Sequence, residues 1–209
     1  MLPNSVLLDP LLSESCPMHT TTWSGLDAWV QAVEAYTSRG ANPLTDALAL
    51  DAAGRIRTAL PRAIDSPSDL DARESMLLAS CMAGIALNTS RLGLVHGLAH
   101  PIGAETGRAH GLLCGLLMPA VAAFNAEHVG DRYEIVACAD KERGGAESIR
   151  KFAVDILVQT GSPTRLRDLG LTRSELPRLA EESLSSGSTA ANPRAVDREG
   201  ALSVLEAAW

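Results

Sequence analysis

Gly93-Leu-Val-His-Gly-Leu-Ala-His-Pro-Ile-Gly-Ala-Glu-Thr-Gly-Arg-Ala-His110 places three of the chain's five histidines in one short segment that is otherwise small and apolar. On a helix, His96 and His100 fall one turn apart on the same face, where a metal ion or a polarised substrate oxygen can meet both. Pro101, Gly103 and Gly107 predict a break after them, which lets the chain turn and bring back His110 as a third imidazole. Just upstream, Met76-Leu-Leu-Ala-Ser-Cys-Met-Ala-Gly-Ile-Ala-Leu87 is apolar nearly all round, the pattern of a central, buried helix over 70–87. Just downstream, 112–124 reads as a second apolar helix.

The composition extends this helical reading to the whole chain. Hydrophobic residues make up 46% of the 209 but aromatic residues only 3%, so the core must be built from Ala, Leu, Val and Ile, which argues for helices. Ser24 is the expected N-cap of a helix to Ser38, with Leu26, Trp29, Val30, Val33 and Tyr36 in helical period and Asp27 and Gln31 on one face. Asn42-Pro43 opens a helix to about Leu60, with Asp46 in its first turn. Ser68 with Asp71 forms a capping box for the 70–87 helix. Further helices are predicted over 133–137 and 145–160, from a Thr172/Glu175 capping box to Ser185, and from an Asp197 cap to Trp209. Residues 1–19 form a proline-rich extended lead-in in which Val6-Leu7-Leu8 predicts one edge strand without a partner. Residues 20–209 form the helical domain. The fold class is all-α, a bundle of about eight helices.

A formal net charge of −7 and the lack of any basic run disfavour nucleic acid or an anionic membrane as partner. No apolar run reaches the ~18 residues of a membrane span, and no export signal is legible at the start, so a cytoplasmic location is expected. Cys16, Cys81, Cys114 and Cys138 are scattered with no CxxC pair and read as reduced core or surface thiols.

By residue type alone, Asp27, His96 and His110 leave two readings open. They suit a divalent metal such as Fe²⁺ or Zn²⁺ with room for a substrate oxygen. Alternatively, the histidines are satisfied by backbone carbonyls and Asp27 is a solvated acid.

Three motifs bear on that choice. Gly25-Leu-Asp-Ala-Trp-Val-Gln-Ala-Val-Glu-Ala-Tyr36, Ala41-Asn-Pro-Leu-Thr-Asp-Ala-Leu-Ala49 and Gly93 to Gly111 together resemble the iron-containing (group III) alcohol dehydrogenases. The likeness continues through Leu117-Met-Pro119, Phe124-Asn125 and Asn192-Pro-Arg194. It is to the family's C-terminal, dehydroquinate synthase-like helical domain, which binds the metal.

The resemblance implies a metal held by an Asp and a His one turn apart on one helix and by two histidines fourteen residues apart. These positions fall on Asp27, on residue 31, on His96 and on His110. Residue 31 is Gln, a weaker ligand than imidazole for a late transition metal, so the implied Fe²⁺ or Zn²⁺ has Gln31 or water completing its shell at lower affinity. His100 matches a histidine near the nicotinamide and substrate and is the implied catalytic proton relay. The implied reaction is hydride transfer between a small alcohol and NAD(P), the metal acting as Lewis acid on the alcohol or aldehyde oxygen.

The family binds its dinucleotide mainly on an N-terminal α/β domain with a Gly-rich turn, and no such domain is legible here. Gly144-Gly145 follows charged residues rather than a strand and reads as a helix start. The expectation is the catalytic half of an oxidoreductase, incomplete alone, with a homo-oligomer or a separate cofactor-domain subunit as partner. Two alternatives are carried. One is a metal-independent oxidoreductase like the maleylacetate reductases, motivated by Gln31. The other is a non-catalytic helical binding or assembly module.

Overall fold

The computed structural model describes residues 3–137 and 144–209; Cys138 lies outside them. The chain organises around helix α1 (Met18–Thr37), whose Leu26, Trp29, Val30 and Val33 are completely buried. α1 packs against α2 (Pro43–Asp65), α3 (Leu70–Ser90) and α5 (His110–Asn125). It starts at Met18, directly after Pro17, well before the start that Ser24 predicts. Ser24 lies inside the helix: its hydroxyl donates back to the Thr20 carbonyl at 2.7 Å, and Thr22 donates to the Met18 carbonyl at 2.7 Å. Back-bonding of this kind satisfies hydroxyl side chains within a helix.

α2 begins where Asn42-Pro43 predicts. The Asn42 side chain accepts from the Leu44 and Thr45 amides while Thr45 Oγ1 accepts from the Asn42 amide. The helix continues past Pro61 to Asp65. α3 is capped by Asp69, which accepts from the Ala72 amide at 3.0 Å, rather than by Ser68. It is not the central buried helix that its composition predicts. Its buried face is an alanine ridge, Ala72, Ala79, Ala83 and Ala86, lying against α1 and α2, while Ile85 is 51% exposed and Leu78 36%. Alanine has no side chain beyond Cβ, so this ridge brings helices together closely and leaves the larger side chains outside.

Of the three residues that predict a break, Gly107 makes it and Pro101 and Gly103 do not. α4 runs from Leu94 to Thr106 and ends only at Gly107, whose φ of +64° is the left-handed stop glycine takes readily. α5 likewise continues past Pro119. In both helices the residue four before the proline, whose carbonyl the ring crowds, is a glycine, Gly97 and Gly115; its flexible backbone eases that clash.

α6 (Arg132–Val136) and α7 (Gly145–Gln159) follow, and α7 packs along α5. Glu175 accepts from the Thr172 amide at 2.7 Å as the predicted box requires, and the regular helix α8 runs over Leu176–Ser183. Between α8 and the last helix lies a one-turn helix, α9 (Gly187–Ala190), and Asp197 caps α10 (Arg198–Ala208) through the Gly200 amide at 2.7 Å. α10 packs on α8 and α5. The ten helices and three short 3₁₀ turns leave no strand among the described residues. Val6, Leu7 and Leu8 form no strand, and Leu7 is 89% exposed, there being no sheet edge among the described residues to receive them. No single described helix is long and apolar enough to cross a membrane.

Candidate metal centre

The site begins with a turn. Arg91 has φ +69°, the one positive φ outside glycine among the described residues, and the axis swings by 102° from α3 into α4. Holding a non-glycine residue there costs about 1–3 kcal/mol. The turn aims the N-terminus of α4, with its unpaired amides, at α1.

Glu34 of α1 meets that N-terminus. Only 3% exposed, it accepts from the Gly93 amide at 3.0 Å, the Val95 amide at 2.7 Å and His96 Nδ1 at 2.7 Å. A carboxylate is also the charge that the positive end of a helix dipole favours. Gly93 is required by the close approach, since a Cβ there would lie 2.7 Å from Glu34 Oε1. Asn192 accepts from the Leu94 amide at 3.1 Å and exchanges amide bonds with Asn125 at 3.0 and 2.8 Å. Arg194 donates to the Phe124 carbonyl at 2.9 Å. The Asn125 and Asn192-Pro-Arg194 motif residues thus clamp α4, α5 and the C-terminal segment together.

With Nδ1 committed to Glu34, His96 presents Nε2 to Asp27, 3.3 Å from Oδ1. α5 supplies the other donors because it can lie against α1. A Cβ on Gly111 would overlap the Trp23 carbonyl oxygen, and one on Gly115 would lie 2.7 Å from Leu26 Cδ1. This approach puts His110 Nε2 3.5 Å from Asp27 Oδ1, and Cys114 Sγ 3.4 Å from His110 Nε2 and 3.9 Å from His96 Nε2.

Asp27 Oδ1 is buried with no hydrogen-bond partner although it lies among these three side chains. A carboxylate oxygen paired with two imidazoles at 3.3 and 3.5 Å and flanked by a thiol is the kind of donor set a divalent cation takes. The four donor atoms lie within 4.8 Å of one another, so the residues present fit a divalent metal.

The electrostatics agree. Burial works to raise the Asp27 carboxyl, but His96, His110 and Cys114 outweigh it and hold the group below its ordinary range. Burial would lower His96, yet Cys114, Asp27 and Glu34 raise it well above the usual imidazole value. His110 is lowered, first by burial and then by the neighbouring His96 and His100 against the pull of Asp27. Burial pushes the Cys114 thiol up to about 12 despite His96. A metal entering this site therefore displaces protons.

The structure brings Asp27, His96 and His110 together. Gln31 stands one turn beyond Asp27 and turns its amide nitrogen to Asp27 Oδ2 at 3.0 Å; it is not among the four clustered donors. His100 is exposed at the edge, its ring stacked on His110 with centroids 5.4 Å apart and planes 17° from parallel. The sequence reading missed Glu34, and it took Cys114 for an ordinary thiol. Both had a signal in helical spacing: Glu34 lies two turns from Asp27 on the same face of α1, and Cys114 one turn from His110 on α5.

Comparison with known proteins identifies the family and the fold. The model of the C-terminal part of the Fe-containing alcohol dehydrogenase family matches residues 21–209. A probable alcohol dehydrogenase of Escherichia coli (strain K12) is 36% identical over 210 residues, covering all of this chain and 53% of that protein. A 1,3-propanediol dehydrogenase of Citrobacter freundii is 37% identical over 204 residues, covering 92% of this chain and 52% of that protein. The crystal structure of a 1,3-propanediol oxidoreductase superposes with a TM-score of 0.91 at 35% identity, over 96% of this chain and 55% of that one. The chain spans about half the length of the curated relatives it matches.

Proposed function

We propose, since this chain belongs to the iron-containing alcohol dehydrogenase family, that it forms the metal- and substrate-facing half of an NAD(P)-dependent alcohol dehydrogenase interconverting a small alcohol and its aldehyde or ketone. The observation that carries this reading is the convergence of Asp27 Oδ1 on His96 and His110 Nε2, 3.3 and 3.5 Å away, from three different helices. Asp27, His96 and His110 would hold the metal, which when bound supplies Lewis-acid polarisation of the substrate oxygen.

The chain's own residues prepare that site. Glu34 fixes His96 with Nδ1 turned away, leaving Nε2 for the cluster. Gln31 holds Asp27 through Oδ2, which leaves Oδ1 to face the two imidazoles. Leu26 and Leu113, next in sequence to Asp27 and Cys114, are both fully buried. His100, exposed and stacked on His110, is positioned to pass a proton between the site and solvent. Dinucleotide binding is assigned to the half of the relatives that this chain does not match.

The test is metal content together with activity. Purified chain should retain or take up about one equivalent of divalent metal, and hydride transfer from short alcohols to NAD(P) should require both that metal and a dinucleotide-binding half. A second reading, a metal-independent reductase, is favoured by Gln31 occupying the position of the family's imidazole. Full activity after exhaustive chelation would establish that reading and overturn the first.

A further inference from the structure

We propose that Cys114 is the fourth metal donor of this site, in place of the imidazole that residue 31 does not provide, and that the ion it selects is zinc rather than iron; this rests on the metal-dependent reading above. Three independent features of the cluster carry it.

The first is the shape of the donor set. Metal–nitrogen and metal–oxygen bonds of ~2.0–2.1 Å and a metal–sulfur bond of ~2.3 Å give a tetrahedron with edges of about 3.3 Å between N and O and about 3.6 Å between N and S. The corresponding separations are 3.3 Å from Asp27 Oδ1 to His96 Nε2 and 3.5 Å to His110 Nε2. Those from Cys114 Sγ are 3.4 Å to His110 Nε2 and 3.9 Å to His96 Nε2. These four edges fall within a few tenths of an ångström of the zinc tetrahedron, and all four donor atoms lie within 4.8 Å of one another.

The second is what Gln31 does instead. Its amide nitrogen donates to Asp27 Oδ2, and the assignment of nitrogen over oxygen follows from chemistry, because an amide oxygen would face a carboxylate acceptor with no proton between them. Residue 31 therefore acts through Asp27 as a positioning residue.

The third is the location of Cys114. It is completely buried on α5, one turn after His110 on the same face, and its polar neighbours are the Nε2 atoms of the two imidazoles. Gly115, next in sequence, lets this part of α5 close on α1. A thiolate in a set of two imidazoles and one carboxylate shifts preference from Fe²⁺ toward softer, more strongly bound Zn²⁺.

Cobalt substitution tests the assignment by spectroscopy. The chelator-stripped chain titrated with Co²⁺ should develop a sulfur-to-cobalt charge-transfer band in the near ultraviolet. Cys114→Ser should lose that band and weaken cobalt binding by at least the ~100-fold that removal of an outer-shell partner can cost. Gln31→Ala should keep the band and weaken binding by about 10-fold. Zinc-edge X-ray absorption on the unsubstituted chain, which needs no variant to fold, should show one sulfur at about 2.3 Å. Cobalt bound without the band, zinc surrounded only by nitrogen and oxygen, or a band that survives Cys114→Ser would each overturn the role of Cys114 and leave the metal-dependent reading standing. Failure of the unsubstituted chain to bind either ion, or uptake that Asp27→Ala does not reduce, would overturn the metal reading and this inference with it.

Discussion

Glu34 Oε2 lies 2.7 Å from His96 Nδ1, a hydrogen bond that joins α1 to the first turn of α4 across 62 residues of sequence. The same carboxylate caps α4, so one buried group sets both the helix and the orientation of a candidate ligand. Glu34→Gln puts an NH₂ donor among groups that are all donors. It should destabilise the chain by on the order of 2–3 kcal/mol in urea unfolding and lower metal affinity ~10- to 100-fold in chelator competition. Unchanged affinity in a folded variant would show that His96 is oriented by something else.

The approach of α5 to α1 depends on Gly111, where any Cβ overlaps the Trp23 carbonyl. Gly111→Ala should therefore cost about 1–3 kcal/mol, as overpacking does, and should weaken metal binding because Asp27 and His110 sit on the two helices being pushed apart. If stability falls while metal affinity holds, the two helices are not what aligns these donors.

Tyr133 provides the clearest dependence of stability on pH. Burial raises its hydroxyl far above the ordinary phenol value, against the lowering effect of its hydrogen bond with Asn125. The folded state thus keeps a proton that the unfolded chain releases near pH ~10. A raised folded value contributes stability that is complete below the unfolded value and is lost as pH rises beyond it. Urea midpoints should fall above pH ~10, and Tyr133→Phe should flatten that decline. A decline of equal slope in the variant would assign the alkaline loss to other groups.

His100 is exposed and outside the donor cluster, so His100→Ala should leave metal content unchanged and stability within about 0.5 kcal/mol of the original. In a preparation competent for turnover, kcat should drop by ~10²-fold or more, as removal of an acid–base group does. Loss of metal instead of turnover would move His100 into the ligand set.

Much of the architecture was legible in local chemistry. Asn42-Pro43 and Asp197 start helices where their capping preferences say they should, because a cap is a contact over three residues. The errors have physical causes of two kinds. Ser24 looked like a cap because its hydroxyl has two local uses, and the chain took the back-bond to Thr20. α3 looked central because hydropathy counts apolar residues without saying which of them face inward; the alanine ridge went in and Ile85 stayed out.

For the site, sequence by itself determined the helical class, the histidine-bearing segment and, by resemblance, that Asp27, His96 and His110 belong together. It also showed that residue 31 is Gln. Only the tertiary structure decided how that departure is absorbed. The 102° turn at Arg91 aims α4 at Glu34, and the bare faces of Gly111 and Gly115 bring Cys114 beside two imidazoles while Gln31 turns to Asp27. Such relations join residues far apart in the chain through atoms a few ångströms apart, and only packing sets distances of that kind.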